Sequence, residues 1–183
     1  RIVIGYPSLD DSRGYVQVGQ NRQSKIFSVG EEAAIFPAVM AWAATMLKQA
    51  GHEVRWQDGP TQGLTWDQQL TDLRDAHPDL VCWEIKTPSA KRCYEAVRRL
   101  KEALPNTNVV IVGDHATALP DEVREATGAS VITGGDYDFG LLKFIEGESR
   151  YTNLNSVLPR LDPVTEHDLK TLLEGLLVSD WRQ

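Results

Sequence analysis

The chain has 183 residues, enough for one domain with a full core plus an appendage. Its net charge of −7 disfavours a nucleic-acid role driven by phosphate neutralisation, and no apolar run approaches the length of a membrane span. Two cysteines, Cys82 and Cys93, are too few for a disulfide framework and lack zinc-ligand spacing; with no charged-then-apolar leader in view, a reducing cytoplasm is the expected compartment.

Residues 1–6 form a short apolar run that predicts a buried first strand, ended by Pro7. Residues 8–34 are a long polar stretch, punctuated by Gly14, Gly19 and Gly30. A connection of that length between strand and helix is commonly a functional loop or a mobile one. Residues 36–50 predict a helix, because Val39, Trp42, Ala43, Met46, Leu47 and Ala50 keep one apolar stripe. Pro37 suits its first turn and Gly51 the position past its end. Residues 52–57 alternate as a strand, 58–60 are a turn, and 66–76 predict a modest helix carrying Leu70 and Leu73.

Residues 80–85 predict the third strand. Thr87 is placed to cap the next helix, with Pro88 in its first position and a stripe of Cys93, Val97, Leu100 and Leu104. Asn108 opens a fourth apolar strand. Gly113 turns the chain into a polar loop, and Pro120 starts a short helix to residue 126. Residues 129–133 predict a fifth strand, Gly134-Gly135-Asp136 its exit loop, and 139–145 a final helix.

Five alternations of strand and helix imply an α/β, Rossmann-like parallel sheet with helices on both faces. The flavodoxin-like order 2-1-3-4-5 is favoured, with its switch point between the first and third strands. This domain is expected over residues 1–146. Residues 147–183 read as an extension, extended at 153–159 and helical at 165–178, and are a candidate linker to a further domain.

In such a sheet the loops leaving the carboxyl ends of the strands form the ligand crevice. No G-x-G-x-x-G follows the first strand and no Walker phosphate loop is present, which disfavours the ordinary dinucleotide and ATP sites. A phospho-acceptor receiver needs acidic residues after the first strand and an Asp ending the third. Gly5-Tyr6-Pro7 and Lys86-Thr87 stand there instead.

Ala50-Gly51-His52-Glu53-Val54, Pro78-Asp79-Leu80-Val81, Thr87-Pro88-Ser89 and Val110-Ile111-Val112-Gly113-Asp114-His115-Ala116-Thr117-Ala118-Leu119-Pro120 follow one another in order. Together they resemble the N-terminal cobalamin-binding domain of cobalamin-dependent radical S-adenosylmethionine enzymes, over roughly residues 1 to 160. The resemblance implies a module that holds cobalamin with its nucleotide tail drawn away from cobalt and entering the crevice at the strand ends. It implies that Thr87 and Ser89, beside Pro88, offer hydroxyls to the tail, and that Gly113, Asp114, His115, Ala116 and Thr117 present donors to it. Gly134, Gly135 and Asp136 would allow close approach of the dimethylbenzimidazole end. Pro7, Ser8 and Leu9 would border the corrin. Glu84 and Lys86 depart from the family pattern by placing charge where that strand usually ends apolar.

The full enzymes of that family use S-adenosylmethionine and an iron–sulfur cluster held by a Cys-x-x-x-Cys-x-x-Cys loop, which Cys82 and Cys93 cannot supply. The chain is therefore expected not to be catalytic alone. A radical S-adenosylmethionine domain in cis or trans is its expected partner, with methyl transfer as the reaction. A Rossmann-like binding or interaction domain that does not hold cobalamin is the alternative, and a transferase with another nucleotide-like ligand a third.

His115 is the histidine best placed to ligate cobalt, although a polar loop residue or tail contact is its plainer reading. Asp75-Ala76-His77 mimics the start of an Asp-x-His-x-x-Gly axial-ligand motif but lacks its Gly and precedes the third strand. Glu84, Asp114, Asp136 and Asp138 read as solvated loop carboxylates, Trp42, Met46 and Trp56 as core, and Arg98, Arg99 and Lys101 as a wet helix face.

Overall fold

The structure is a computed structural model that describes residues 1–9, 37–134 and 137–147 in full, and the backbone of 15–20 and 23–28. Gly135, Asp136 and the extension from residue 148 onward lie outside the described residues.

Strand β1 (Ile2–Tyr6) is followed by an antiparallel hairpin of β2 (Tyr15–Gln20) and β3 (Gln23–Ser28). The stretch read as an unbroken polar loop thus contains a two-stranded sheet of its own. Helix α1 (Ala38–Gln49), strand β4 (Val54–Asp58), helix α2 (Trp66–Ala76) and strand β5 (Leu80–Glu84) come next. A 3-10 turn over Thr87–Ser89 then leads into α3 (Ala90–Ala103) and β6 (Asn108–Val112). The chain continues through α4 (Asp114–Ala118), α5 (Pro120–Thr127), β7 (Ser130–Val131) and α6 (Tyr137–Ile145).

The main sheet has five parallel strands in the order β4-β1-β5-β6-β7. Counted by parallel strands alone, that is the expected 2-1-3-4-5, with the reversal between β1 and β5.

Alternation along each strand builds two cores. Val3, Val81, Trp83, Ile85, Val109 and Ile111 face α2, α3 and α5. Ile2, Ile4, Tyr6, Cys82, Val110 and Val112 face α1 and α6. Successive strand side chains point to opposite faces, so a strand covered on both sides must be apolar throughout. Trp83 is fully buried and meets Trp66 edge-on at 6.2 Å between ring centroids, a contact contributing about 1 kcal/mol beyond its buried area. Arg99 lies 4.7 Å above the Trp66 ring, so one member of the supposed wet face also closes the core rim. Trp42, expected in the core, is 57% exposed, because α1 buries Met40, Ala43, Ala44 and Leu47 instead.

Local signals explain most boundaries. Thr65 caps α2 in a reciprocal box with Gln68, satisfying two backbone donors that the first turn would otherwise leave open. Residues 114–118, read as loop, form the single turn of α4 before Pro120 starts α5. Thr87 makes no side-chain cap; Lys86 precedes the 3-10 turn in extended conformation.

Gly5 is required by the sheet itself. Its φ is +154°, and a Cβ there would stand 2.0 Å from the Gln57 carbonyl oxygen on β4. Gly5→Ala is expected to lose about 3 kcal/mol of stability by combining a strained backbone with a clash against a neighbouring strand. Gly51→Ala, at φ +92° but facing open space, should lose only about 1 kcal/mol. Urea midpoints of the two variants test this, and equal losses would refute it.

Candidate functional site

Every described residue assigned to the crevice by the sequence stands at the carboxyl ends of the parallel strands. Pro7 and Ser8 leave β1, Thr87, Pro88 and Ser89 leave β5, Gly113 to Thr117 leave β6, and Gly134 leaves β7. Their exposures differ. Thr87, Pro88 and Asp114 are open to solvent, and Leu9, Thr117 and Gly134 are half-buried. Pro7, Ser8, Ser89, Gly113, His115 and Ala116 are buried. Ala116 packs into the apolar core beneath α4.

Several of the expected hydroxyls already serve the protein. Ser89 Oγ donates to the Lys86 carbonyl at 3.0 Å. Thr117 Oγ1 accepts from the Gly134 N–H at 3.0 Å, tying the β6 exit to the β7 exit. Two buried hydroxyls at the strand exits have no hydrogen-bond partner among the described residues: Ser8 Oγ and Thr133 Oγ1. In the sequence Thr133 reads only as the end of the fifth strand, not as a site residue.

The centre of the crevice holds a cluster of charged and phenolic groups. Glu84 ends β5 and is 6% exposed, so it is not the solvated loop carboxylate expected. Its Oε1 lies 2.5 Å from Lys86 Nζ, and its Oε2 accepts the Tyr6 hydroxyl. Lys86 Nζ also reaches Asp114 Oδ2 at 3.2 Å. Burial first, then Glu84, pushes the Tyr6 and Tyr137 phenols far up, so both stay neutral. Tyr137 has no well-formed hydrogen bond. Asp138, also expected in solvent, is 5% exposed.

Gly113, at φ +104°, makes room for this cluster. A Cβ on it would lie 2.6 Å from Glu84 Cγ and 3.1 Å from the Ile85 carbonyl. The space freed by this glycine is filled by Glu84. The sequence does carry a signal for the pair: in extended backbone, residues two apart share a side, so Glu84 and Lys86 point the same way off the strand end.

A second network surrounds His115, which sits in α4 rather than in a loop and is 3% exposed. Its Nε2 is 2.6 Å from the Tyr94 hydroxyl and its Nδ1 3.1 Å from Thr87 Oγ1. Tyr94 also donates to Glu122 Oε1 at 3.1 Å. A phenol has one proton. With that proton on the Glu122 bond, His115 must donate from Nε2 to Tyr94 and accept from Thr87 at Nδ1. Burial pushes the Tyr94 phenol up to about 12, with Glu122 adding to the shift. Both ring nitrogens are thus engaged within the protein. His77, in the mimic motif, caps α2 at φ +45°, before β5 and away from the strand exits.

Among the described residues, no three His, Cys, Asp or Glu side chains gather to hold a metal ion. Cys82 and Cys93 are free and buried on opposite faces of the sheet. Burial pushes the Cys93 thiol up to about 12, which suits an inert packing role.

Burial lowers the pKa of His115 from 6.5, with Glu122 opposing in part. The unfolded chain therefore binds a proton near pH 6.5 that the folded state takes up only at lower pH. Stability from this group is complete above pH 6.5 and is lost as pH falls toward the folded value. His115→Gln should flatten that part of the stability-versus-pH curve. Tyr94→Phe should cost about 1–3 kcal/mol by orphaning a buried ring nitrogen. Denaturant midpoints between neutral pH and pH 5 check both, and an unchanged curve in His115→Gln would refute the assignment.

The model of the B12 binding domain matches residues 32–138. That range runs from ahead of α1 into α6 and takes in the exits of β4, β5, β6 and β7, leaving β1 outside. Over 112 residues the chain is 30% identical to the anaerobic magnesium-protoporphyrin IX monomethyl ester cyclase of Cereibacter sphaeroides. That alignment takes in 60% of this chain and 18% of the cyclase, so the chain spans under a fifth of that curated relative. No solved structure matches. On the match across more than half of its residues, and with the sheet order that the exits require, this chain belongs to the B12-binding domain family.

Proposed function

We propose that the chain is the cobalamin-binding module of a cobalamin-dependent radical S-adenosylmethionine enzyme. The observation that carries the reading is the family match over residues 32–138, which coincides with the strand exits where an open α/β sheet takes its ligand.

The residues present fit such a group. Cobalamin offers primary carboxamide arms and a phosphodiester-linked nucleotide tail, all needing hydrogen-bond partners. Ser8 Oγ and Thr133 Oγ1 are buried hydroxyls without partners among the described residues. A buried polar atom left unpaired is costly, and a polar ligand would relieve it. Gly134, at φ +106°, brings bare backbone to the rim next to Thr133. Thr87 and Asp114 are exposed along the same edge. In this reading Thr133, Gly134 and Thr117 border the tail, while Pro7, Ser8 and Leu9 border the corrin.

When bound, cobalamin supplies a cobalt that carries a methyl group for transfer. The cluster that generates the radical belongs to a partner domain, in cis or trans, since two buried cysteines on opposite faces of the sheet cannot form a three-cysteine loop. Methyl transfer is the reaction favoured. The relative's name, an anaerobic cyclase, supports ring closure as a second reading.

The purified chain, mixed with hydroxocobalamin and desalted, should retain colour with a shifted absorption spectrum. A colourless protein would overturn the reading in favour of a Rossmann-like domain without the cofactor. A Cys-x-x-x-Cys-x-x-Cys loop in the same reading frame or an adjoining gene is the expected companion. Its absence from both would remove the radical chemistry and leave cofactor binding standing.

A further inference from the structure

Helices α1 and α6 lie side by side and cover the same face of the sheet. Their composition differs from that of the helices on the other face. Lys48 is the one charged residue among the 12 of α1, whereas half of the 14 residues of α3 are charged. A helix with so little charge around its circumference is normally covered on every side. The described residues cover α1 toward the sheet and along α6, and leave its outer side open.

Two aromatic rings mark that open side. Among the described residues, the exposed large apolar side chains are Trp42, Leu119 and Phe139, and Trp42 and Phe139 stand on this pair of helices. At about 3.6 residues per turn, Trp42 points away from the buried Met40, Ala43, Ala44 and Leu47 of α1, and Phe139 away from Tyr137 and Leu141 of α6. Both rings therefore face outward from the sheet. Packed helix axes lie about 8–10 Å apart, so the two rings border one surface. Half-buried Met46 and Leu142 stand one turn on from them. A contiguous apolar surface of this kind marks a contact.

The same chain carries a segment of matching chemistry. Residues 165–178 lie outside the described residues and are expected as a helix, with Thr165 and Asp168 at capping-box spacing. Leu169, Leu172, Leu173, Leu176 and Leu177 recur at the spacing of a single helical stripe, which needs cover. A helix of that span is about 21 Å long, close to the roughly 18 Å of α1. Residues 148–164 can reach up to about 55 Å, ample for the chain to return along α6. The charges agree as well: α1 carries Lys48 and no carboxylate, while the segment carries Glu166, Asp168 and Glu174 against Lys170.

We propose that residues 165–178 dock their leucine stripe on the outer face of α1 and α6, against Trp42 and Phe139, as a further layer over that side of the sheet. The tether makes the contact intramolecular, at an effective concentration of about millimolar, which favours this segment over a second copy of the chain. The face lies on the flank of the sheet, so the inference stands apart from the cobalamin reading.

The test places a nitroxide spin label on Thr171→Cys, on the polar side of the segment, in the whole chain. Cys82 and Cys93 are buried and stay unlabelled. The amide resonances of α1 and α6 should broaden, and those of α2 and α3 across the sheet should not. Broadening on α2 or α3 instead, or none beyond the label's neighbours in sequence, would overturn the proposal. Mixing spin-labelled chain free of isotope with isotope-enriched chain lacking the label separates the occupants. Broadening of α1 and α6 in that mixture would make a second copy the occupant and overturn the proposal.

A second measurement reads the face itself. Leu172→Asp combined with Leu176→Asp breaks the stripe without touching the described core. With fluorotryptophan incorporated, the fluorine resonance of Trp42, identified by its loss in Trp42→Phe, should shift in that variant. The resonances of the buried Trp66 and Trp83 should stay in place. A Trp42 resonance that moves no more than those two would overturn the proposal.

Discussion

The buried ion pair between Glu84 and Lys86 constrains the carboxyl edge of this sheet more than any other interaction. Two ions with about 6% exposure must each be answered by neighbours, because leaving either unpaired costs several kcal/mol. The answer draws in four elements. β1 contributes the Tyr6 hydroxyl, α4 the Asp114 carboxylate, and α6 brings Tyr137 alongside Glu84. The β6 exit has to be glycine at position 113, since any Cβ would collide with Glu84 Cγ.

Beside this charged centre lies a second network with a different task. Tyr94 on α3, Thr87 on the 3-10 turn, His115 on α4 and Glu122 on α5 share one chain of hydrogen bonds. It fixes the exits of β5 and β6 relative to the helices behind them. Hydrogen bonds in a poorly solvated setting polarise one another, and each member is costly to remove singly. The rim thus divides into rigid, satisfied groups and, among the described residues, two buried hydroxyls with capacity to spare, Ser8 and Thr133. That division is what a pre-formed binding edge requires, because a ligand gains most where the protein has already ordered its donors.

Much of the fold was legible in the sequence. Val81, Cys82 and Trp83 form an unbroken apolar run because β5 is covered on both faces. The stripe of Cys93, Val97 and Leu100 marked α3 because a helix with one covered face repeats every three to four residues. The hairpin of β2 and β3 was not legible, since its short strands are diluted by Gln and Gly and lack a strong turn signal. Trp42 misled because an apolar residue near a helix stripe need not lie within it. Glu84 misled because charge at a strand end usually signals solvent.

The sequence by itself determined the alternation of elements, the parallel sheet and the set of loops that share its carboxyl edge, because these follow from periodicity and chain direction. It also carried the family, through the order of its motifs. Only the tertiary structure decided which polar groups at that edge are spent and which are spare. That depends on contacts between residues far apart in the chain, such as Tyr6 with Glu84 and Thr87 with His115. Side-chain pairing across strands is set by the distances that packing imposes, and no local pattern encodes those distances.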